Sequence, residues 1–289
     1  MKGLKGRRRL AAALVVVAGL VLGAWPYSAY PWCGWSTPAA SGAPLRVGVY
    51  EEFPTPERLA KLAQVDFPID LALAAESPAA FEALRAPLAD NPYVQTIYYW
   101  PTLTPEEGYY LGPWSRSAGL QRVMAETPAE TPVLWDWEFP RGGQGWAMGE
   151  APANRRLIEA WWAGRTAPVA VWRSFTFLGL DSPLLRLTGL DVDPRQYPTV
   201  TLHLDFYASG AGRPAWLTAR MLRCGVEQYG ARFVPSFGVL DDGLGAGPFV
   251  SPEALARDVA LARAAGVSEV WLFGLNGLNA DYLTALRGN

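Results

Sequence analysis

The feature that most constrains this chain is a regular alternation of short apolar runs with amphipathic stretches, which begins at Leu45. Apolar runs of this length between turn signals are typical of buried strands, and apolar residues spaced three and four apart are typical of helices. The predicted strands are 45–50, 67–74, 93–100, 132–138, 168–175, 199–206, 232–240 and 269–273. The predicted helices are 55–64, 79–88, 117–126, 154–163, 182–188, 215–229, 252–265 and 280–287.

Eight consecutive strand–helix pairs in residues 45–289 predict an α/β fold, a single (β/α)8 TIM barrel. The alternative is an open doubly wound sheet, which binds a dinucleotide through Gly-x-Gly-x-x-Gly after its first strand. No such motif follows the first predicted strand. The strand count therefore favours the barrel, a fold whose enzymes hold their active sites at the carboxyl ends of the strands.

Two carboxylates end the fourth predicted strand, where residues 132–140 read Pro-Val-Leu-Trp-Asp-Trp-Glu-Phe-Pro. Alternate side chains of a strand share a face, so Asp136 and Glu138 point one way and Trp135 and Trp137 the other. Neighbouring buried acids raise the pKa of one of the pair, which is what a general acid requires. The alternative is a structural acid pair that caps a helix or binds an arginine.

The acid pair also carries a family resemblance. Asp136, Trp137, Glu138 and Pro140 resemble the end of the signature D-G-x-D-x-D-W-E-Y-P of family 18 glycoside hydrolases, the chitinases and endo-N-acetylglucosaminidases, with Phe139 in place of the tyrosine. The resemblance implies a barrel whose fourth strand carries the catalytic acids. That position agrees with the independent strand count.

The first half of that signature is missing here. Thr131 and Pro132 stand where the family has Asp-Gly, and Leu134 stands where it has its middle Asp. Hyaluronidases keep a similar Ile-Asp-Trp-Glu stretch with only the last acid pair, and they are a second resemblance. The absence of the middle Asp is therefore compatible with either an active or an inactive barrel.

The sixth predicted strand supplies further polar candidates. Thr201, His203, Asp205 and Tyr207 alternate with apolar residues, so we expect them to face the barrel interior, with Asp205 level with the acid pair. Chitinases carry Met-x-Tyr-Asp on this strand, which contacts the acetamido group of the substrate. Asp205 matches the Asp of that motif, and Tyr207 is our candidate to replace its Tyr. We interpret His203 as a hydrogen-bonded core histidine.

Seven further residues near strand ends are predicted to bind substrate. The resemblance implies aromatic contacts at the ends of strands one, three and eight, where Phe273 takes the place of the chitinase tryptophan. Arg173 is predicted to bind substrate because of its position near the end of strand five. The simplest interpretation of this residue is an ion pair with Asp205 or Glu138. The full predicted set is Tyr50, Glu51, Tyr99, Trp100, Arg173, Phe273 and Asn276. We expect Trp135, Trp137 and Trp172 to pack against helices.

The N-terminus has the order of a secretory signal. Five basic residues within positions 2–9 precede an apolar run from Leu10 to Trp25, so residues 1–25 are predicted to be a signal peptide or a membrane anchor. The apolar run has sixteen residues, slightly fewer than the roughly 20 of a usual span, which leaves cleavage and retention both open. Residues 26–44 are rich in Pro, Ser, Ala and aromatic residues and predict a linker.

Two cysteines exclude a disulfide framework and a cysteine-built zinc site. Cys33 and Cys224 could pair in an oxidising compartment. Because Cys33 lies in the predicted linker, we expect two separate thiols.

Charge and motifs exclude several function classes. Residues 1–43 hold five positive and no negative side chains, which leaves 20 positive against 27 negative in the remainder. An acidic exported domain is a poor candidate for binding nucleic acid or anionic lipid. We expect a monomer that needs no metal or organic cofactor. No Ser-His-Asp order, phosphate loop or His-x-His pattern is present.

The resemblance implies a glycoside hydrolase that acts on glycans containing N-acetylhexosamine. Glu138 would protonate the glycosidic oxygen while the substrate's own acetamido oxygen attacks the anomeric carbon. Asp136 would orient that acetamide, assisted by Asp205 and Tyr207. The rival interpretations are a glycan-binding barrel without catalysis, motivated by Leu134, and an unrelated barrel with a structural acid pair.

Overall fold

A computed structural model describes most of the chain from Pro44 onward, together with Cys33. The described residues are 33, 44–140, 146–173, 185, 188–206, 212–240 and 249–287. The predicted signal or anchor, most of the predicted linker, Tyr207 and most of the predicted helix at 182–188 lie outside them.

Eight parallel strands close into a barrel in chain order, and the first strand pairs with the last. This arrangement confirms the predicted TIM-barrel-like fold. The strands are β1 Arg46–Glu51, β2 Ile69–Ala75, β3 Val94–Pro101, β4 Val133–Asp136, β5 Val169–Arg173, β6 Val200–Asp205, β7 Phe233–Val239 and β8 Glu269–Phe273.

Helices join the strands on the outside of the barrel. They are α1 Pro56–Leu59, α2 Pro78–Arg85, α3 Ser117–Glu126, α4 Ala151–Ala163, α5 Ala215–Tyr229, α6 Pro252–Ala264 and α7 Ala280–Arg287. The hydroxyls of Thr55, Ser77 and Ser251 accept hydrogen bonds from backbone N–H groups of the first turn, which fixes where these helices begin. A short 3-10 segment, Ala60–Gln64, continues α1.

Side chains of each strand alternate between two separate cores. The outer core packs the strands against the helices and includes Val169, Val171, Leu202 and Leu204. The inner core fills the barrel with Tyr50, Ala72, Ala74, Tyr98, Trp100, Leu134, Ala170, Val234, Val239, Trp271 and Phe273. Gly48 is required here, because a Cβ at that position would lie 2.0 Å from the Trp271 ring. The interior is therefore packed below the mouth.

An ion cluster joins β1, β2 and β8 at the amino end of the barrel. The Arg46 guanidinium pairs with Asp70 and lies 3.5 Å from the Glu269 carboxylate. Trp271 donates its indole N–H to Glu269, and burial raises the pKa of that carboxyl above its ordinary value. These contacts link the first and last strands where the barrel closes.

The two cysteines form a disulfide, so the expectation of separate thiols is wrong. Cys33 and Cys224 lie 5.0 Å apart at Cα and are separated by 191 positions in sequence. Cys224 is fully buried on α5, and Cys33 packs against the outer core beside it. Within the described ranges, none of the helices has both the length and the apolar character needed to cross a bilayer.

Candidate active site

The carboxylate of Asp136 stands at the carboxyl end of β4, at the mouth of the barrel. Asp136 is the last residue of the strand and is 1 % exposed. The strand is shorter than predicted, so Glu138 lies beyond its end, and strand alternation alone does not fix the direction of the Glu138 side chain. A tight turn follows instead, in which the Glu138 N–H donates to the Asp136 carbonyl at 3.0 Å.

Tryptophans hold the backbone of this segment from the outside. Trp135 and Trp137 are fully buried and contact α4, with ring centroids 4.8 Å from Trp161 and 5.0 Å from Trp162 respectively. This packing confirms the prediction for Trp135 and Trp137. The backbone N–H of Trp137 also donates to the carbonyl of Trp172 at 2.8 Å, which extends the strand pairing past Asp136.

The loop after β3 supports the turn from a second side. Leu111 donates its N–H to the Asp136 carbonyl at 2.9 Å. A Cβ at Gly112 would lie 1.7 Å from the Glu138 carbonyl oxygen, so only glycine permits this approach. Asp136 and Glu138 are thus held by main-chain contacts on both sides.

Asp205 ends β6 and faces the interior, because it shares a side with His203 on the same strand. Burial is the main cause that raises its pKa to about 8, and the charge of Glu138 raises it further, against a smaller opposing effect of Arg213. Asp205 and Glu138 are therefore close enough to interact electrostatically, and this pair of carboxyls holds one proton at neutral pH. The carboxyls of β4 and β6 share one space at the mouth.

A hydrogen-bonded chain forms the floor below Asp205. The Tyr50 hydroxyl lies 2.7 Å from Nδ1 of His203, and Nε2 of His203 lies 3.1 Å from the Thr201 hydroxyl. Burial lowers the pKa of His203 to about 3, so the imidazole stays neutral over the usual pH range. His203 is therefore a hydrogen-bonded core histidine, as predicted. Tyr50, predicted to bind substrate, is 1 % exposed and belongs to this floor.

Aromatic rings line the interior next to the acids. Phe273 lies 6.1 Å from Trp100 and 6.4 Å from Tyr50 between ring centroids. Trp172 also belongs to the inner core, and it is partly exposed beside Asp136, its register partner. The expectation that Trp172 packs against helices is wrong, because Ala170 and Trp172 take the inward positions of β5.

The contacts of Glu51 and Asn276 connect loops of the barrel to neighbouring elements. The buried Glu51 carboxylate accepts from the Phe53 N–H at 2.9 Å and from the Leu275 N–H at 2.8 Å, and it pairs with Arg58 at 2.7 Å. It thereby ties the loops after β1 and β8 to α1. Asn276 is exposed, and its carbonyl accepts from the Lys61 ammonium.

Tyr99 and Arg173 lie on the helix-facing side of their strands. The Tyr99 ring packs 5.0 Å from Phe81 of α2, away from the barrel interior. Arg173 is 2 % exposed and follows Val169 and Val171 in the outward alternation of β5. Both residues therefore take outward positions on their strands, whereas Asp136 and Asp205 take inward ones. Tyr207 lies outside the described residues.

Ser236 on β7 was missed by the sequence interpretation. It is the register partner of Asp205, is fully buried, and shares the inward side with Val234. Its hydroxyl and Oδ1 of Asp205 are buried without a hydrogen-bond partner among the described residues. The usable signal was the alternation in Phe-Val-Pro-Ser-Phe, which places a small polar residue in an apolar strand.

Comparison with protein-family models and with curated proteins gives no match for this chain. Within the described ranges, no group of three His, Cys, Asp or Glu side chains is arranged to hold a metal ion. The ionisable side chains that the described strands place at the mouth include Asp136 and Asp205, with Glu138 after β4. One buried carboxylate stands beside two coupled carboxyls, next to aromatic rings.

Proposed function

We propose that the protein is a glycoside hydrolase that acts on glycans containing N-acetylhexosamine. One observation carries the proposal: Asp205 on β6 is coupled to Glu138 after β4, beside the buried Asp136, at the carboxyl end of the barrel. Barrel enzymes hold their active sites at this end. A protonated carboxyl near an ionised one is the arrangement that acid-catalysed glycoside cleavage requires.

Glu138 is the proposed general acid, and it carries the proton of the Glu138–Asp205 pair when the substrate is bound. It transfers its proton to the glycosidic oxygen as the bond to the anomeric carbon breaks, and the acetamido oxygen of the same sugar forms a new bond to that carbon. Water then opens the cyclic intermediate and returns a proton to Glu138. Asp136 orients the acetamide and stabilises its positive charge, and Asp205, with Tyr207, assists.

Aromatic and polar neighbours support this assignment. Trp172 gives the mouth a partly exposed aromatic surface, while Trp100 and Phe273 are buried in the inner core. Aromatic rings stack on the C–H faces of sugars. No step requires a metal or an organic cofactor. The predicted roles of Glu51, Tyr99, Arg173 and Asn276 as substrate contacts stay predictions.

The second candidate is a glycan-binding barrel without catalysis. Leu134 favours it, because this residue lies in the inner core two positions before Asp136 and is 1 % exposed, where family 18 hydrolases carry an acid. Without that acid, Asp136 has no carboxyl neighbour on its own strand. A barrel whose acids are purely structural is a third candidate.

We also propose that the domain lies outside the cytoplasm, secreted or anchored by residues 1–25. The Cys33–Cys224 disulfide supports this, since disulfides persist in oxidising compartments and are rare in the cytosol. The proposed partner is a glycan, with no nucleic acid, and the proposed state is a monomer.

The test is a screen of the purified full chain against N-acetylated glycans, with Glu138→Gln and Glu82→Gln measured beside wild type. Glu82 is an exposed acid on α2 and serves as the matched control. Loss of a general acid typically reduces the rate by about 10²–10⁴. We expect that loss in Glu138→Gln alone, with glycan binding retained.

Three results contradict the hydrolase. Binding of glycans by wild type without any cleavage favours the glycan-binding barrel. Equal turnover by wild type and Glu138→Gln removes Glu138 from the mechanism. If wild type neither binds nor cleaves any N-acetylated glycan, the result favours the barrel whose acid pair is purely structural.

A further inference from the structure

The disulfide fixes the N-terminal chain to one side of the barrel. Cys33 is bonded to Cys224 on α5, and the Cys33 carbonyl accepts a hydrogen bond from Nε of Arg220 at 3.4 Å. Both contacts fall on the same helix, which follows β6. Everything N-terminal to Cys33 therefore departs from the α5 side.

An exposed tryptophan lies on the same side of α5 as Arg220 and Cys224. Trp216, Arg220 and Cys224 follow one another at four-residue spacing, which places them on one side of an α-helix. Trp216 is 56 % exposed, unlike most tryptophans of the described chain, which are buried or half-buried. Tryptophan is enriched at membrane–water interfaces, where its ring is amphipathic.

The tether between the apolar N-terminal run and this helix is short. Cys33 lies eight positions after Trp25, and eight extended residue steps reach at most about 26–29 Å. A compact domain of the size of residues 45–289 has a radius of gyration of roughly 18 Å, which corresponds to a diameter of roughly 45 Å. The tether is thus shorter than the domain is wide, and the side opposite α5 cannot reach a membrane in which residues 10–25 are inserted.

We propose that the α5 face of the barrel lies against the membrane, with Trp216 among the lipid headgroups and the Cys33–Cys224 disulfide holding that orientation. The partner is the bilayer that contains residues 10–25. The orientation does not depend on glycan cleavage. Because α5 runs alongside the strands, the barrel axis lies along the membrane surface. The mouth opens sideways, with the β6 end that carries Asp205 on the side nearest the lipid.

Site-specific photo-crosslinking to lipid tests the orientation in the full chain, inserted in vesicles of the zwitterionic lipids phosphatidylethanolamine and phosphatidylcholine. Benzoylphenylalanine replaces Trp216 in one variant and Ala79 in the other. Ala79 is the matched control, since it is exposed and is the second residue of α2, as Trp216 is of α5. The strands that precede these helices, β2 and β6, are four apart in an eight-strand barrel, so the two positions lie on opposite sides.

We expect lipid adducts at position 216 several-fold above those at 79, and loss of this contrast in Cys33→Ser/Cys224→Ser. Thermal unfolding checks that the double variant is folded; if it is not, reduction of the wild-type disulfide in the vesicles replaces it. Equal adducts at the two positions, or more at 79, overturn the orientation. Recovery of the full chain in the soluble fraction contradicts the claim that residues 10–25 anchor the domain in the bilayer. If position 216 still gives more lipid adducts than position 79 after the disulfide is lost, the disulfide does not hold the orientation.

Discussion

The hydroxyl of Tyr50 on β1 lies 2.7 Å from Nδ1 of His203 on β6, across the interior of the barrel. The two residues are 153 positions apart in sequence, and both are almost completely buried. This hydrogen bond supports the floor on which Asp205 stands. It thus couples the packing of the barrel interior to the candidate active site.

Tyr50→Phe is expected to lower the free energy of unfolding by about 1–3 kcal/mol, because it leaves a buried imidazole nitrogen without its partner. Denaturant unfolding measures the change. Tyr93→Phe is the control, since Tyr93 is 36 % exposed. Equal stability of Tyr50→Phe and wild type would show that His203 finds another partner.

His203 makes the fold sensitive to acid. Burial lowers its pKa from 6.5 to about 3, so below pH 6.5 the unfolded chain binds a proton that the folded protein does not. This contribution to stability is complete above pH 6.5 and is lost progressively as the pH falls towards 3. In His203→Gln that part of the pH dependence should vanish from melting curves recorded between pH 3 and 7. An unchanged slope would mean that the imidazole is protonated in the fold.

Asp205 acts in the opposite direction. Its pKa is about 8 in the fold against 3.8 ordinarily, so the folded protein keeps a proton that the unfolded chain has lost. The stability contribution of Asp205 therefore declines as the pH rises from about 4 to about 8. The melting temperature of Asp205→Asn should therefore rise relative to that of wild type as the pH increases through this window. A constant difference between pH 4 and pH 8 speaks against a protonated Asp205.

The coupling of Asp205 to Glu138 is open to direct titration. Glu138→Gln removes the neighbouring charge and should lower the pKa of Asp205, which NMR of carboxyl-labelled aspartate reports. Burial, the larger cause, remains, so the pKa should stay above its ordinary value. Glu82→Gln should change nothing. No response to Glu138→Gln would place the two carboxyls too far apart to act together.

Ser236 and Ser115 make a matched pair of buried serines. The Ser115 hydroxyl donates to the Tyr110 carbonyl at 2.6 Å, whereas the Ser236 hydroxyl has no hydrogen-bond partner among the described residues. Leaving a buried polar group unpaired costs about 1–3 kcal/mol. Ser236→Ala should therefore raise the free energy of unfolding and Ser115→Ala should lower it, as measured in urea. Destabilisation by both would indicate a water bound to Ser236.

The sequence predicts the barrel well because each strand carries its own local signal. The apolar runs, the Ser and Thr caps and the prolines at helix starts are all read within a few residues. Asp136 and the outward Trp135 and Trp137 follow from the alternation along β4. These features depend on neighbours in the chain, so they do not require knowledge of the packed molecule.

Features that depend on distant residues were not predicted. The inward direction of Trp172 follows from the pairing of β4, β5 and β6, and nothing in the β5 run alone selects that face. The disulfide joins residues 191 positions apart, with six strands between them in the chain. The pKa of Asp205 depends on its burial and on Glu138 across the mouth, which composition and spacing do not reveal.

Closure of the barrel by β1 against β8 makes the fold depend on residues 269–273. A chain that ends before Glu269 leaves β1 and β7 without one neighbour each, so two rows of backbone N–H and C=O groups face solvent. Exposed strand edges pair with other chains. Truncation before Glu269 is therefore expected to yield an aggregating protein.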